Sequence, residues 1–279
     1  MVRPSQTFTF DNRLVAIEEL FRQRNNAAAI RELDRLKEEE FSGSPHQRGL
    51  FLLLTAERAF CQGNYRQSIE SALIAARLLA DYPLNRQYGR TQLVLSKSYS
   101  SIGDMRNAEI RGHNALAAYR RASDTTGQID GLNELARTTF IRSNYEAASS
   151  FLDEAIELAA DNPRKVAQLT GNVGMIRTLS GLWDLAEADL KEALTFNIDG
   201  KHEISQAVNH LALGYLYLRK REFVFASRSL EKANAIIGRL NLKREKIIYL
   251  EYSGELAYER GEMAKARAIL SEAYQQGML

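Results

Sequence analysis

One cysteine and four prolines are all that the 279 residues hold of those types, and both shortages exclude something. Cys61 alone cannot form an internal disulfide, and a cysteine-based metal centre would have to draw its other ligands from elsewhere. So few prolines, alongside 17 glycines, leave room for long uninterrupted helices. No uncharged apolar run reaches the roughly 18 residues of a membrane span, and mean hydropathy is -0.34. The first ten residues lack the apolar centre of a secretory signal, which makes the cytoplasm the default location. Net charge is also nearly missing. Against 37 Lys and Arg stand 35 Asp and Glu, a formal net of +2, too little for the counterion release that drives general nucleic-acid binding. A hydrophobic share of 45 % and a charged share of 26 % are those of a folded globular chain.

Sets of residues that carry out chemistry are scarce as well. No Gly-x4-Gly-Lys-Ser/Thr loop is present to cradle a nucleotide phosphate. His46, His113, His202 and His210 are scattered, and none of them share the i, i+4 spacing of a helical zinc site. His202 and His210 read as solvent-facing. Cys61 has no histidine in its register and reads as a buried small thiol. Adjacent carboxylates such as Glu18 and Glu19, or Glu38 to Glu40, diverge on a helix and suit a solvated face better than acid/base work. The sequence points to no enzyme, no cofactor and no metal.

What the chain does have is a period. Gly63-Asn64-Tyr65, Gly103-Asp104-Met105, Ser143-Asn144-Tyr145, Gly181-Leu182-Trp183, Arg221-Glu222-Phe223 and Gly261-Glu262-Met263 begin 40, 40, 38, 40 and 40 residues apart. Five positions beyond the first residue of each lie Ser68, Ala108, Ala148, Ala186, Ala226 and Ala266. Twelve beyond lie Ala75, Ala115, Ala155, Ala193, Ala233 and Ala273. Seven before it lie Ala56, Ser96, Ala136, Gly174, Gly214 and Gly254. Apolar residues between these marks recur at helical spacing, as in Phe151, Leu152, Ala155, Ile156 and Ala159. Small side chains at i and i+7 share one helical stripe, so each segment predicts two antiparallel helices in close contact.

This pattern resembles the tetratricopeptide repeat, with small residues at its eighth, twentieth and twenty-seventh positions and a large apolar or aromatic residue at the seventeenth. Here the seventeenth positions are Tyr65, Met105, Tyr145, Trp183, Phe223 and Met263. A degenerate first unit fits around Asn25-Asn26, with Ala29, Leu33 and Leu36 on its packing face. The resemblance implies an all-α fold, a right-handed α-solenoid superhelix of about seven antiparallel hairpins in one domain over residues 1–279. Its repeats run roughly over 10–45, 46–87, 88–127, 128–165, 166–204, 205–244 and 245–279. The period is nearer 40 than the family's 34, which should lengthen both helices; such long repeats are similar to those of bacterial regulators and of scaffold proteins. Turn segments Ser42 to Pro45, Asp81 to Pro83, Ser123 to Gly127, Asp161 to Pro163, Asn197 to Gly200 and Gly238 to Asn241 fall at the same period. Charged residues Lys37 to Glu40 are expected to solvate the first unit. The last helix, ending near Tyr274 and Leu279, has no polar capping helix after it, so its apolar face is expected to be covered by further chain, an effector domain or a second copy.

In the family the first helix of each hairpin lines the concave side. Register then nominates Arg90, Lys97, Asn133, Arg137, Gln168 and Asn172 in the middle of a groove, with Met175, Tyr215, Leu218 and Tyr258 further along and Glu57 and Glu255 near its ends. The stretch 77–121 adds to the basic character, with eight Lys and Arg against three Asp and Glu. This surface fits a partner protein or peptide with an acidic group on Lys97 and Arg137 and apolar side chains near Tyr215 and Tyr258. Arg137 can equally pair within the groove with Glu134 or Asp130. The resemblance stops short of the subclass that clamps a C-terminal carboxylate, whose positions are not matched. The leading expectation is a protein-interaction scaffold, the sensory part of a larger regulator. A switch controlled by a small molecule or signalling peptide comes next, and RNA binding by helical repeats comes last because the groove positions alternate in sign.

Overall fold

A computed structural model describes residues 4–23, 25–36, 44–80 and 86–277, and the described residues form fourteen α-helices. Lys37 to Glu40, Ser42, Gly43, Asp81 to Pro83 and Leu279, named above, lie outside them. Packing divides the chain into two compact units, Met1–Asn144 and Tyr145–Leu279. The first holds α1 (Pro4–Arg22), α2 (Asn26–Asp34), α3 (Pro45–Cys61), α4 (Tyr65–Leu79), α5 (Arg86–Ser101), α6 (Met105–Arg121) and α7 (Thr125–Ile141). The second holds α8 (Tyr145–Leu158), α9 (Pro163–Leu179), α10 (Trp183–Asp199), α11 (Glu203–Arg219), α12 (Phe223–Leu240), α13 (Lys243–Glu259) and α14 (Met263–Gly277). The all-α repeat architecture and the helix pairs follow the expected register, and the first helix starts at Pro4, ahead of the anticipated residue 10.

Local chemistry explains the helix ends. Ser44 caps α3 through a reciprocal pair of bonds with Gln47, and Pro45 follows at the first helical position, where its missing N–H is harmless. Asp104, Asp124 and Asn162 accept from the backbone N–H three residues on. The first residue of all six aligned turns is left-handed. Glycine stands there four times, while Ser143 (φ 61) and Arg221 (φ 60) hold the same conformation with a side chain.

Within each unit an odd-numbered helix packs on its even-numbered partner and on the next odd-numbered helix: α1 on α3, α3 on α5 and α5 on α7, then α9 on α11 and α11 on α13. The odd-numbered helices therefore share one face of each stack, as the resemblance implies. Ala72, Ala75, Ala108, Ala115, Ala186, Ala193, Ala226 and Ala233 are fully buried, and they allow this close stacking. The small eighth position does face the twentieth. Ser96 Oγ donates to the Ala108 carbonyl at 2.7 Å, and Ser68 Oγ donates to the Ala56 carbonyl at 2.8 Å. At Gly214 a Cβ would stand 2.7 Å from Leu230 Cδ2, so a leucine of α12 occupies the space that the missing side chain leaves. Leu190 and Leu230 are buried, whereas the leucine at the same register of α14, Leu270, is 41 % exposed together with Met263 and Tyr274.

Candidate functional site

The residues nominated from sequence lie on odd-numbered helices, and their charges are mostly engaged with one another. In the first unit Arg90 sets its guanidinium fork on Glu57, with Nε 2.6 Å from Oε1 and Nη2 2.7 Å from Oε2. Its Nη1 reaches Glu18 Oε1 on α1 at 3.4 Å, and Arg86 Nη2 stands 3.8 Å from the same oxygen. Burial pushes the Glu57 carboxyl up from its ordinary value, and the Arg90 charge opposes that rise. Arg90, nominated from sequence for the middle of the groove, spends its charge holding α1, α3 and α5 together, with 14 % of the side chain exposed.

Lys97 and Arg137 remain closer to the surface. Lys97 is half-buried on α5, near enough to Glu57 to lower its pKa, and the described residues include no ion-pair partner for it. Arg137 holds Glu134 at 2.5 Å and 3.1 Å, the intrahelical pair that the sequence suggested, while 42 % of its side chain stays in solvent. Asn133 on the same helix is half-buried.

On the corresponding face of the second unit, Gln168 is exposed, and Asn172 and Met175 are half-buried on α9. Tyr215 stacks on Tyr252 with ring centroids 4.7 Å apart, and the Arg219 guanidinium lies 5.7 Å over the Tyr215 ring. Tyr258 is exposed. Leu218 is a correction: it sits in the hydrophobic core of this unit, because α12 and α13 close over that side of α11. A shallow recess of about 120 Å³ at this spot is lined by Leu218, Arg219, Arg221, Glu255 and Glu259. The acidic character expected near Glu255 is balanced there, since Arg219 pairs with Glu255 at 2.8 Å and Arg221 with Glu259 at 3.1 Å.

Three partners at these sites escaped the sequence reading: Glu18, Tyr252 and Arg219. Tyr252 lies at the sixth register position, which was not counted as facing the groove. Glu18 was assigned to a solvated face, and only the 72-residue reach to Arg90 shows otherwise. Two further expectations are overturned. Cys61 is exposed at the end of α3. His210 is buried on α11, where desolvation and the nearby Lys232 push its pKa down to about 4. Among the described residues no group of three His, Cys, Asp or Glu could hold a metal ion, and no helix is long and apolar enough to cross a membrane.

No family model matches the chain, and no curated protein matches it by sequence. Solved structures do match. A Rap protein complexed with competence and sporulation factor superposes with a TM-score of 0.77 at 13 % identity, over 100 % of this chain and 76 % of that one. NprR in complex with its cognate peptide NprX gives 0.72 at 17 % identity, over 99 % and 80 %. Nearly identical TPR-like repeats of a Podosopora anserina putative kinesin light chain give 0.59 at 16 % identity, over 71 % and 97 %. Identities this low speak for the fold, and together with the aligned turns and the eighth-to-twentieth contacts they give this chain a helical-repeat fold of the tetratricopeptide type.

Proposed function

We propose that this chain is a regulatory binding protein that takes a peptide, or an extended segment of a partner protein, on the shared face of its odd-numbered helices. The observation that carries the reading is Lys97, a half-buried ammonium with no ion-pair partner among the described residues, on a face where the neighbouring cations are paired. A carboxylate of the incoming segment suits that position, with the half-exposed Arg137 beside it in register. One structural neighbour was solved with its cognate peptide NprX and another with competence and sporulation factor, which supports a peptide over a small metabolite. The role is binding in the cytoplasm and not catalysis, with the exposed face of α14 left for an effector domain or a second copy.

The test is a thermal-shift screen of short peptides against the wild type and a Lys97→Glu, Arg137→Glu double variant. Peptides bearing acidic residues should raise the wild-type melting temperature, and the double variant should bind them at least ~tenfold more weakly. Equal stabilisation of both proteins by the same peptides overturns the reading.

A further inference from the structure

Three cations of the first unit stand on one stripe of α5. Arg86, Arg90 and Lys97 are spaced i, i+4 and i+11, close to whole turns, so each returns to the same side of the helix. Two carboxylates from neighbouring helices meet that stripe, Glu57 on α3 and Glu18 on α1. Glu57 feels the charges of Arg90, Lys97 and Glu18 together, and Glu18 in turn is approached by Arg86. The five groups form one cluster with a surplus of one positive charge.

The two carboxylates are held very differently. Glu57 receives two short bonds from Arg90, 2.6 and 2.7 Å, a bidentate pair that by itself neutralises the guanidinium. Glu18 is buried more deeply, with 6 % of its side chain exposed against 12 % for Glu57. Yet it has a single bond of 3.4 Å from Arg90 Nη1 and a looser approach of 3.8 Å from Arg86 Nη2, both on Oε1. Contacts this long do not offset the desolvation of a buried carboxylate. The packing of α1 does not ask for that charge either, because Leu14, Ile17 and Phe21 of the same helix carry its core contacts. Glu18 stands where an anion with better reach could take the same nitrogens.

We propose that Arg86 and Arg90 form a second carboxylate position on the binding face, that Glu18 occupies it in the free protein, and that an acidic group of the bound peptide displaces Glu18. This rests on the peptide-binding reading above and narrows its ligand to a segment with two acidic groups, one for Lys97 and one for the arginines. Arg90 and Lys97 lie seven residues apart on α5, about 10 Å at 1.5 Å per residue, a distance that an extended chain covers in about three residues. The exchange replaces one carboxylate by another on the same nitrogens. Glu18 yields because it is the weakly held one, while Glu57 keeps its two bonds and α1 stays packed through its apolar side chains. Glu18 therefore acts as a built-in competitor: a single acidic group engages Lys97 alone, and a doubly acidic segment also recruits the arginines.

The test is the binding of fluorescein-labelled hexaglutamate, followed by anisotropy at low salt, with hexaglutamine as the uncharged control. Glu18→Gln removes the competitor with little change of shape and should bind hexaglutamate at least ~fivefold more tightly than the wild type. Glu19→Gln removes the same charge from the exposed neighbouring position and should stay within ~twofold of the wild type. Adding Arg86→Gln to Glu18→Gln should cancel the gain. An unchanged affinity in Glu18→Gln, an equal gain in Glu19→Gln, a gain that survives Arg86→Gln, or no binding of hexaglutamate by any of these proteins overturns the proposal. A lower melting temperature of Glu18→Gln without the gain identifies Glu18 as a structural ion pair only. Lys97→Glu separates the two readings. Binding that Glu18→Gln tightens and Lys97→Glu leaves unchanged keeps the arginine position and removes the one at Lys97, whereas binding that Lys97→Glu abolishes and Glu18→Gln leaves unchanged does the reverse.

Discussion

Arg90 grips Glu57 with two short bonds from adjacent corners of its guanidinium, and Glu18 takes the remaining nitrogen from a helix 72 residues away. Such a buried pair is costly to assemble and costlier to break, because removing one partner strands the other charge out of water. Arg90→Met should therefore destabilise the first unit by about 3–5 kcal/mol at neutral pH, and adding Glu57→Gln should recover much of that loss. Urea unfolding of the single and double variants measures both. The pH dependence has a defined sign. Glu57 has its folded pKa raised, so its contribution is greatest below the unfolded value of 4.5 and declines as pH rises through the folded one. The deficit of Arg90→Met should widen from pH 4.5 towards neutrality.

Glu187 behaves in the opposite sense. The bond from Lys191 is the largest cause that brings its pKa down to about 2, with Lys220 and Tyr217 adding to it against the cost of burial. A lowered folded pKa means stability that is present above 4.5 and is lost as pH falls towards 2. Glu187→Gln should cost roughly 1–2 kcal/mol at pH 7, discounted for partial solvent screening, and should flatten the decline between pH 4.5 and 2.5. Melting temperatures across that range decide it.

Backbone and packing make separable predictions at the turns and at the helix contacts. Gly214→Ala puts a methyl group within 2.7 Å of Leu230 and should cost about 1–3 kcal/mol. Gly103→Ala meets no atom within 4 Å but keeps φ at 84°, so only the left-handed cost of ~1 kcal/mol applies. Ser143→Gly relieves that cost and should raise the urea midpoint by the equivalent of ~0.5–1 kcal/mol at unchanged slope.

The repeat architecture was legible because its signals are local. A left-handed turn residue, a small residue seven before it and others five and twelve beyond it follow from the geometry of two touching helices, whatever lies further off. Side-chain partnership between hairpins was less legible. Register puts Lys97 and Arg137 on odd-numbered helices, yet it could not tell that Arg90, at the second position, would be claimed by Glu57 and Glu18. Helical spacing likewise could not say whether His210 faces water, since the answer depends on the neighbouring helices that cover α11. Cys61 was misjudged for a related reason: it is the last residue of α3, at the turn into α4, where it is exposed.

The reach of Glu18 also bears on the order in which the chain is made. Other side-chain bonds between hairpins, such as Arg221 to Glu259, Arg260 to Phe223 and Arg239 to Glu203, join positions 36 to 38 apart, about one repeat, so such contacts can form as soon as the next hairpin leaves the ribosome. The first hairpin is the exception. Its Glu18 is made before Arg90 and finds it only when α5 has emerged, so during translation that carboxylate waits for the α3–α4 hairpin and one further helix.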